Sequence, residues 1–170
     1  MTPHAPDTAR ILAIAPSSRG FGYAVLETNG TLADWGVKSV NGHKNIRSLT
    51  KAEDLMDHYR PSIVILEDHN AHDARRAPRI HSLHEAIVAV AQIRNVQVAF
   101  LTRAEVLRGL FPDGQGTKYL LAKVLAERFP AELACRLPPK RRPWTGEDYR
   151  MGIFDAVALV HHFLVRQKLA

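Results

Sequence analysis

Cysteine is almost missing from this 170-residue chain, with Cys135 the only one. An intrachain disulfide is therefore excluded, as is a cysteine-rich zinc site, and both absences fit a reducing cytoplasm. Long apolar runs are missing too. The longest fall far short of the roughly 20 residues that a bilayer span requires, so we expect no membrane partner and a soluble, cytoplasmic protein. The opening segment Met1 to Arg10 has no apolar stretch of the kind a secretory leader carries. With its two prolines and mixed polarity it reads as a flexible tail over residues 1–9. Acid is the minority charge: 17 Asp and Glu face 23 Lys and Arg, a net charge of +6. Such an excess suits a polyanionic partner, although a basic enzyme with dispersed charge would show it as well. No internal repeat and no low-complexity stretch is present.

What is present suffices for one domain over residues 10–170, because 46% of the residues are hydrophobic. Ile11 to Ala15 is an apolar strand ended by Pro16, and Gly20 to Glu27 is a second strand closed by the Asn29-Gly30 turn signal. Thr31 to Val40 answers it, which completes an antiparallel meander. Asn45 to Tyr59 sets Ile46, Leu49, Ala52, Leu55 and Met56 at helical spacing, and Pro61 stops that helix. Ser62 to Glu67 is an apolar, β-branched strand of the fully buried kind. Then follow a helix at Ile80 to Arg94, a strand at Val96 to Leu101, and helices at Arg103 to Leu110 and Lys118 to Phe129. A Pro/Arg-rich loop, Pro130 to Pro143, leads to a final helix from about Thr145 to Lys168. The order βββαβαβα predicts an α/β fold in which a mixed sheet is flanked by helices.

Three acids stand out against this background. Glu67 closes an apolar strand, at the C-terminal sheet edge where α/β folds gather ligands, and Asp68 follows it. Asp155 interrupts Ile153-Phe154-Asp155-Ala156-Val157-Ala158-Leu159-Val160, a helix apolar nearly all round. An acid there needs a cation or a hydrogen-bond network, either a metal or a structural ion pair. Asp148, two helical turns earlier, falls on nearly the same face, with Glu147 one position round. Thr145-Gly146-Glu147-Asp148 also matches a helix-capping pattern, so Asp148 reads equally as a cap or a ligand. Grouped carboxylates of this kind suit hard cations, Mg²⁺ or Mn²⁺, in two-metal phosphodiester hydrolysis. His69 with His72, and His81 with His84, have helix-compatible spacing but no third ligand in a zinc pattern. They read as surface or DNA-facing residues.

The segment Ile11-Leu12-Ala13-Ile14-Ala15-Pro16-Ser17-Ser18-Arg19-Gly20-Phe21-Gly22-Tyr23-Ala24-Val25 resembles the opening of RuvC-type Holliday junction resolvases, I-L-G-I-D-P-G-S-R-x-x-G-Y-G-V. The catalytic Asp of that pattern is Ala15 here, and the Gly after the Pro is Ser17. The resemblance implies a ribonuclease H-like fold, a five-stranded mixed sheet of order 3-2-1-4-5. It maps the family's second acid onto Glu67 and its D-A-x-A-L helix onto Asp155 to Leu159. The other helix acid falls on Gly152, for which Asp148 or Glu147 could substitute from one turn back. Gly116-Thr117-Lys118 resembles the segment that carries a functional lysine, which makes Lys118 a candidate active-site or phosphate contact. The implied cofactor is Mg²⁺, with Mn²⁺ as a variant, and the implied partner is branched or four-way-junction DNA met by a homodimer.

Two basic loops flank these acids in sequence. Arg75, Arg76 and Arg79 follow the Glu67 strand, and Lys140, Arg141, Arg142 and Trp144 precede the Asp155 helix. Guanidinium forks suit phosphate and an indole suits base stacking, so these residues, with Arg19 and Lys118, are the expected DNA contacts. The sequence thus predicts a metal-dependent DNA endonuclease of resolvase type, inactive or weakened by Ala15. The alternative is a non-catalytic DNA-binding module around a vestigial site.

Overall fold

A computed structural model describes residues 8–68 and 78–170. The first apolar run forms β1 (Arg10–Ser17), and a tight turn at Ser18 and Arg19 returns the chain as β2 (Gly20–Glu27). After the Asn29-Gly30 turn, in which the Thr31 amide donates to Asn29 Oδ1 at 2.8 Å, β3 (Leu32–Ser39) completes the meander. Gly30 takes a positive φ of 96°, a conformation glycine adopts without strain. Strand β4 (Ile63–Glu67) pairs parallel with β1, and β5 (Gln97–Leu101) pairs parallel with β4. The resulting order β3-β2-β1-β4-β5 is the expected five-stranded mixed sheet.

Alternation along the strands sorts side chains into two cores. Leu12, Ile14, Val25, Val64 and Leu66 face one side, where they meet α1 (Lys44–Tyr59) and α2 (Pro78–Ile93). Ile11, Ala13, Ala15, Ala24 and Ile65 face the other side. There they pack under α3 (Arg103–Leu110), α4 (Lys118–Arg128), a short α5 (Pro130–Leu133) and the long α6 (Met151–Leu169). Each large apolar side chain taken fully out of water adds about 1.5–3 kcal/mol, which makes these two layers the main source of stability.

Several boundaries depart from the sequence reading. Strand β1 runs through Pro16 to Ser17. Its parallel partner β4 pairs only with Ile11, Leu12 and Ala13, so at Pro16 the strand has a neighbour on one side, where a missing N–H costs little. Ile46 is 70% exposed, and the buried stripe of α1 is Ser48, Ala52, Leu55 and Met56. The Pro130 to Pro143 segment is not all loop, since it contains α5 and a 3₁₀ turn at Ala134–Arg136. His84, read as a surface residue, is buried in α2. The largest difference is α6, which starts at Met151 and not near Thr145. Residues 1–7 of the expected tail, together with His69, His72, Arg75 and Arg76, lie outside the described residues. No helix among the described residues is long and apolar enough to cross a membrane.

The seat of α6 on the sheet is a glycine contact. A Cβ placed on Gly22 would come 2.0 Å from the carbonyl oxygen of Gly152, whereas a Cβ on Gly152 would meet Gly22 backbone atoms no nearer than 3.3 Å. Gly22→Ala must therefore push helix and strand apart, and overpacking of this kind costs about 1–3 kcal/mol. Urea unfolding should show that loss for Gly22→Ala and a clearly smaller one for Gly152→Ala. Equal losses would mean that the two backbones do not approach this closely.

Candidate functional site

Strand register brings the acid positions together. Continuing the pairing beyond Ala13↔Ile65 sets Ala15 level with Glu67, both on the face covered by α6. Gly152 lies in the first turn of α6 and Asp155 one turn later, so both look onto the same strand ends. A cleft of about 150 Å³ opens between the β1–β2 turn and α6, with Ala15, Ser17 and Arg19 on one wall and Gly152, Asp155 and Tyr149 on the other. Asp155 also borders a smaller hollow with Glu67 and Arg103, and so joins the two carboxylate positions.

Asp155 is the electrostatic centre. Its side chain is only 16% exposed, and Oδ1 is buried without a hydrogen bond. Lys118 Nζ approaches Oδ2 at 3.4 Å, and Arg103 stands 3.8 Å from Oδ1. Burial pushes the carboxyl above the ordinary range, against the pull of Lys118 and Arg103, while the fields of Glu147 and Glu67 push it further up. Lys118 is set by Thr117, which caps α4 by accepting from the Leu120 amide at 3.2 Å. Its ammonium also donates to Glu147 Oε1 at 2.7 Å. Arg103 is fixed in the same way, as the first residue of a helix that opens with a Thr102/Glu105 capping box.

The acids before α6 behave differently from expectation. Glu147 and Asp148 lie in the irregular segment ahead of the helix, so they do not share its face with Asp155, although both line the cleft. Nor does Thr145 cap a helix, because its hydroxyl donates to the Arg142 carbonyl. Asp148 accepts from the Arg150 amide at 2.9 Å and holds the Arg150 guanidinium with both oxygens. That fork holds its carboxyl below the ordinary range. A local loop staple explains why an acid here fits a capping pattern without starting a helix.

The basic residues divide as well. Arg19, at the tip of the β1–β2 turn, lines the cleft. Arg79 spends its guanidinium on the Ser17 carbonyl at 2.9 Å and on Asn45 Oδ1, so it braces the turn, and Lys44 braces it from the Ser18 carbonyl. Lys140, Arg141, Arg142 and Trp144 are exposed on the loop ahead of α6, with Arg142 over the Trp144 ring at 5.8 Å. Sequence reasoning missed Arg103, Tyr149 and Arg150. The capping box directly after the strand beside β4 was a usable signal for Arg103, whereas nothing local marks the other two.

The residues present do not fit a two-metal centre. Ala15 and Gly152 offer no side-chain donor, and among the described residues no three His, Cys, Asp or Glu side chains are grouped closely enough to hold an ion. The cleft is also balanced in charge: Arg19, Arg103 and Lys118 offset Glu67, Glu147 and Asp155, and Arg150 offsets Asp148. A centre with two more carboxylates would be two charges more negative and would call for a divalent cation.

The chain matches no protein-family profile and no curated protein sequence. Its architecture is that of solved RuvC structures. Thermus thermophilus RuvC aligns at 17% identity with a TM-score of 0.66, over 94% of this chain and 97% of that one. The T. thermophilus RuvC complex with a Holliday junction substrate aligns at 18% and 0.67, over 94% and 96%. The yeast mitochondrial Holliday junction resolvase Ydc2 aligns at 14% and 0.66, over 98% and 82%.

Because the folded state holds Asp155 above its ordinary pKa, ionising it opposes folding: the stability is complete in acid and lost as pH rises through the raised value. Asp155→Asn should then unfold at a higher urea concentration than the parent at pH 8, and the difference should close near pH 4. A variant less stable than the parent at pH 8 would contradict this burial argument.

Proposed function

We propose that this chain binds branched DNA of the four-way-junction type and, as written, does not cut it at an appreciable rate. The observation that carries the reading is the cleft itself. It sets a buried acid, Asp155, beside Glu67 and Ala15 at the strand ends, with Arg19 and Lys118 in its lining and Arg141 at the adjoining hollow. Four-way-junction DNA is the ligand named for one of the similar structures, and resolvase is the activity named for another. The net charge of +6, with Arg19 and Lys118 in the cleft, supports a phosphate partner. A homodimer in the cytoplasm, presenting two clefts to opposing strands, completes the proposal.

Loss of the acid at position 15 explains the proposed lack of cleavage. Mutating a residue that merely supports a metal ligand costs about 10–100-fold, so losing a ligand costs at least that much. Glu67 and Asp155 support a working site that lacks an acid at Ala15 and Gly152, while the engagement of Lys118 with Glu147 and Asp155 favours the non-catalytic module.

Gel-shift and sedimentation measurements should show a dimer that binds four-way junctions more tightly than linear duplex, with affinity falling steeply as salt rises. Binding indifferent to salt would sink the phosphate-contact reading. With Mg²⁺ or Mn²⁺, Ala15→Asp should nick the junction at least about a hundredfold faster than the parent. If Ala15→Asp binds normally yet stays inert on junctions, flaps and RNA/DNA hybrids, the chain is a binding module with no latent nuclease.

A further inference from the structure

Next to the acid cleft lies a second hollow that the proposed cleavage chemistry does not use. Its walls are Tyr119, Pro138, Pro139 and Met151, and its rim carries Arg141 and Glu147. Pro138 and Met151 are buried, while Tyr119 is half-buried at the start of α4. Lys118, Glu147 and Asp148 line both hollows, so the two adjoin across those side chains.

We infer that this hollow is a slot for a single unpaired nucleobase, taken from the strand whose phosphates cross the cleft. The inference rests on the DNA-binding reading and adds the part of the DNA that is recognised. An aromatic ring, two proline rings and a methionine make apolar walls of the kind that stack on a base face. The rim supplies a hydrogen-bond donor in Arg141 and an acceptor in Glu147, which suits the mixed donor and acceptor edge of a base. Lys118 stands at the boundary, where its charge complements the phosphate joined to that base. Paired duplex offers no free base to such a slot, whereas a branch point can release one. Shape selectivity then comes from the slot, and the cations contribute sequence-independent affinity.

The test is a cycle of abasic DNA and protein variants, using the full chain and synthetic four-way junctions. Removing one branch-point base should weaken binding by the parent about tenfold, the scale of one base–aromatic stack. Tyr119→Ala should bind intact and abasic junctions equally, with an unchanged dependence on salt, and Tyr119→Phe should keep the parent's discrimination. The slot is overturned if abasic scanning across the branch point leaves the parent's affinity unchanged, or if Tyr119→Ala still discriminates. Failure of the parent to bind any junction would instead overturn the DNA-binding reading, and the slot with it. The scan on the parent alone decides the question even if Tyr119→Ala folds poorly.

Discussion

Helix α6 can reach the sheet only because two glycines meet: Gly152 lies so near Gly22 that a methyl group on the latter would sit 2.0 Å from a carbonyl oxygen. That approach lowers the first turn of the helix onto the end of the meander and carries Asp155 below the surface, beside Ala15. Any bulk at Gly22 would lift the helix and open the cleft to water. Desolvation of Asp155, the first cause of its raised pKa, is therefore a consequence of backbone packing as much as of its own surroundings. The constraint falls on Gly22, where a side chain has no room, and much less on Gly152.

From that seat the electrostatics follow. A buried carboxylate must be paired, and the two cations that approach Asp155 are both first residues of capped helices, Arg103 on α3 and Lys118 on α4. Their backbones are held firmly while their long side chains keep some freedom. The Lys118–Glu147 pair is more than two-fifths exposed on both sides, so water screens it and its worth is at most about 1 kcal/mol. Such a pair opens at little cost. An arriving phosphate can draw Lys118 from Glu147, whereas Asp148 stays bound in the two-pronged grip of Arg150.

Much of this was legible in the sequence. The strands and the meander follow from period-two burial and from one specific motif, since both depend on local spacing, whereas the register that sets Ala15 level with Glu67 comes from the fold. The start of α6 was not legible. Thr145-Gly146-Glu147-Asp148 has the residue types of a capping box, but Asp148 finds its donors two residues ahead, at the Arg150 amide and guanidinium, and this competes with helix formation. Ile46 failed for a related reason: an apolar residue at helical spacing need not face the core at the first turn. Arg79 reads as a free cation until the fold shows it holding the Ser17 carbonyl and Asn45. Which cations are spent inside the molecule and which face solvent is a tertiary fact that no spacing rule encodes.

The same charge balance bears on the proposed DNA binding, because the cleft carries no carboxylate at positions 15 and 152. Additional carboxylates at positions 15 and 152 would leave the cleft net negative and repel phosphate until a divalent ion arrived. With a methyl group at Ala15 and no side chain at Gly152, the four remaining acids are matched by Arg19, Arg103, Lys118 and Arg150. Phosphate approach then needs no ion to neutralise the floor of the cleft. Losing the acid removes a ligand for chemistry and, at the same position, a repulsion against the substrate. On the proposed reading, a chain with this charge balance is weak as a nuclease and favoured as a metal-independent binder of junction DNA.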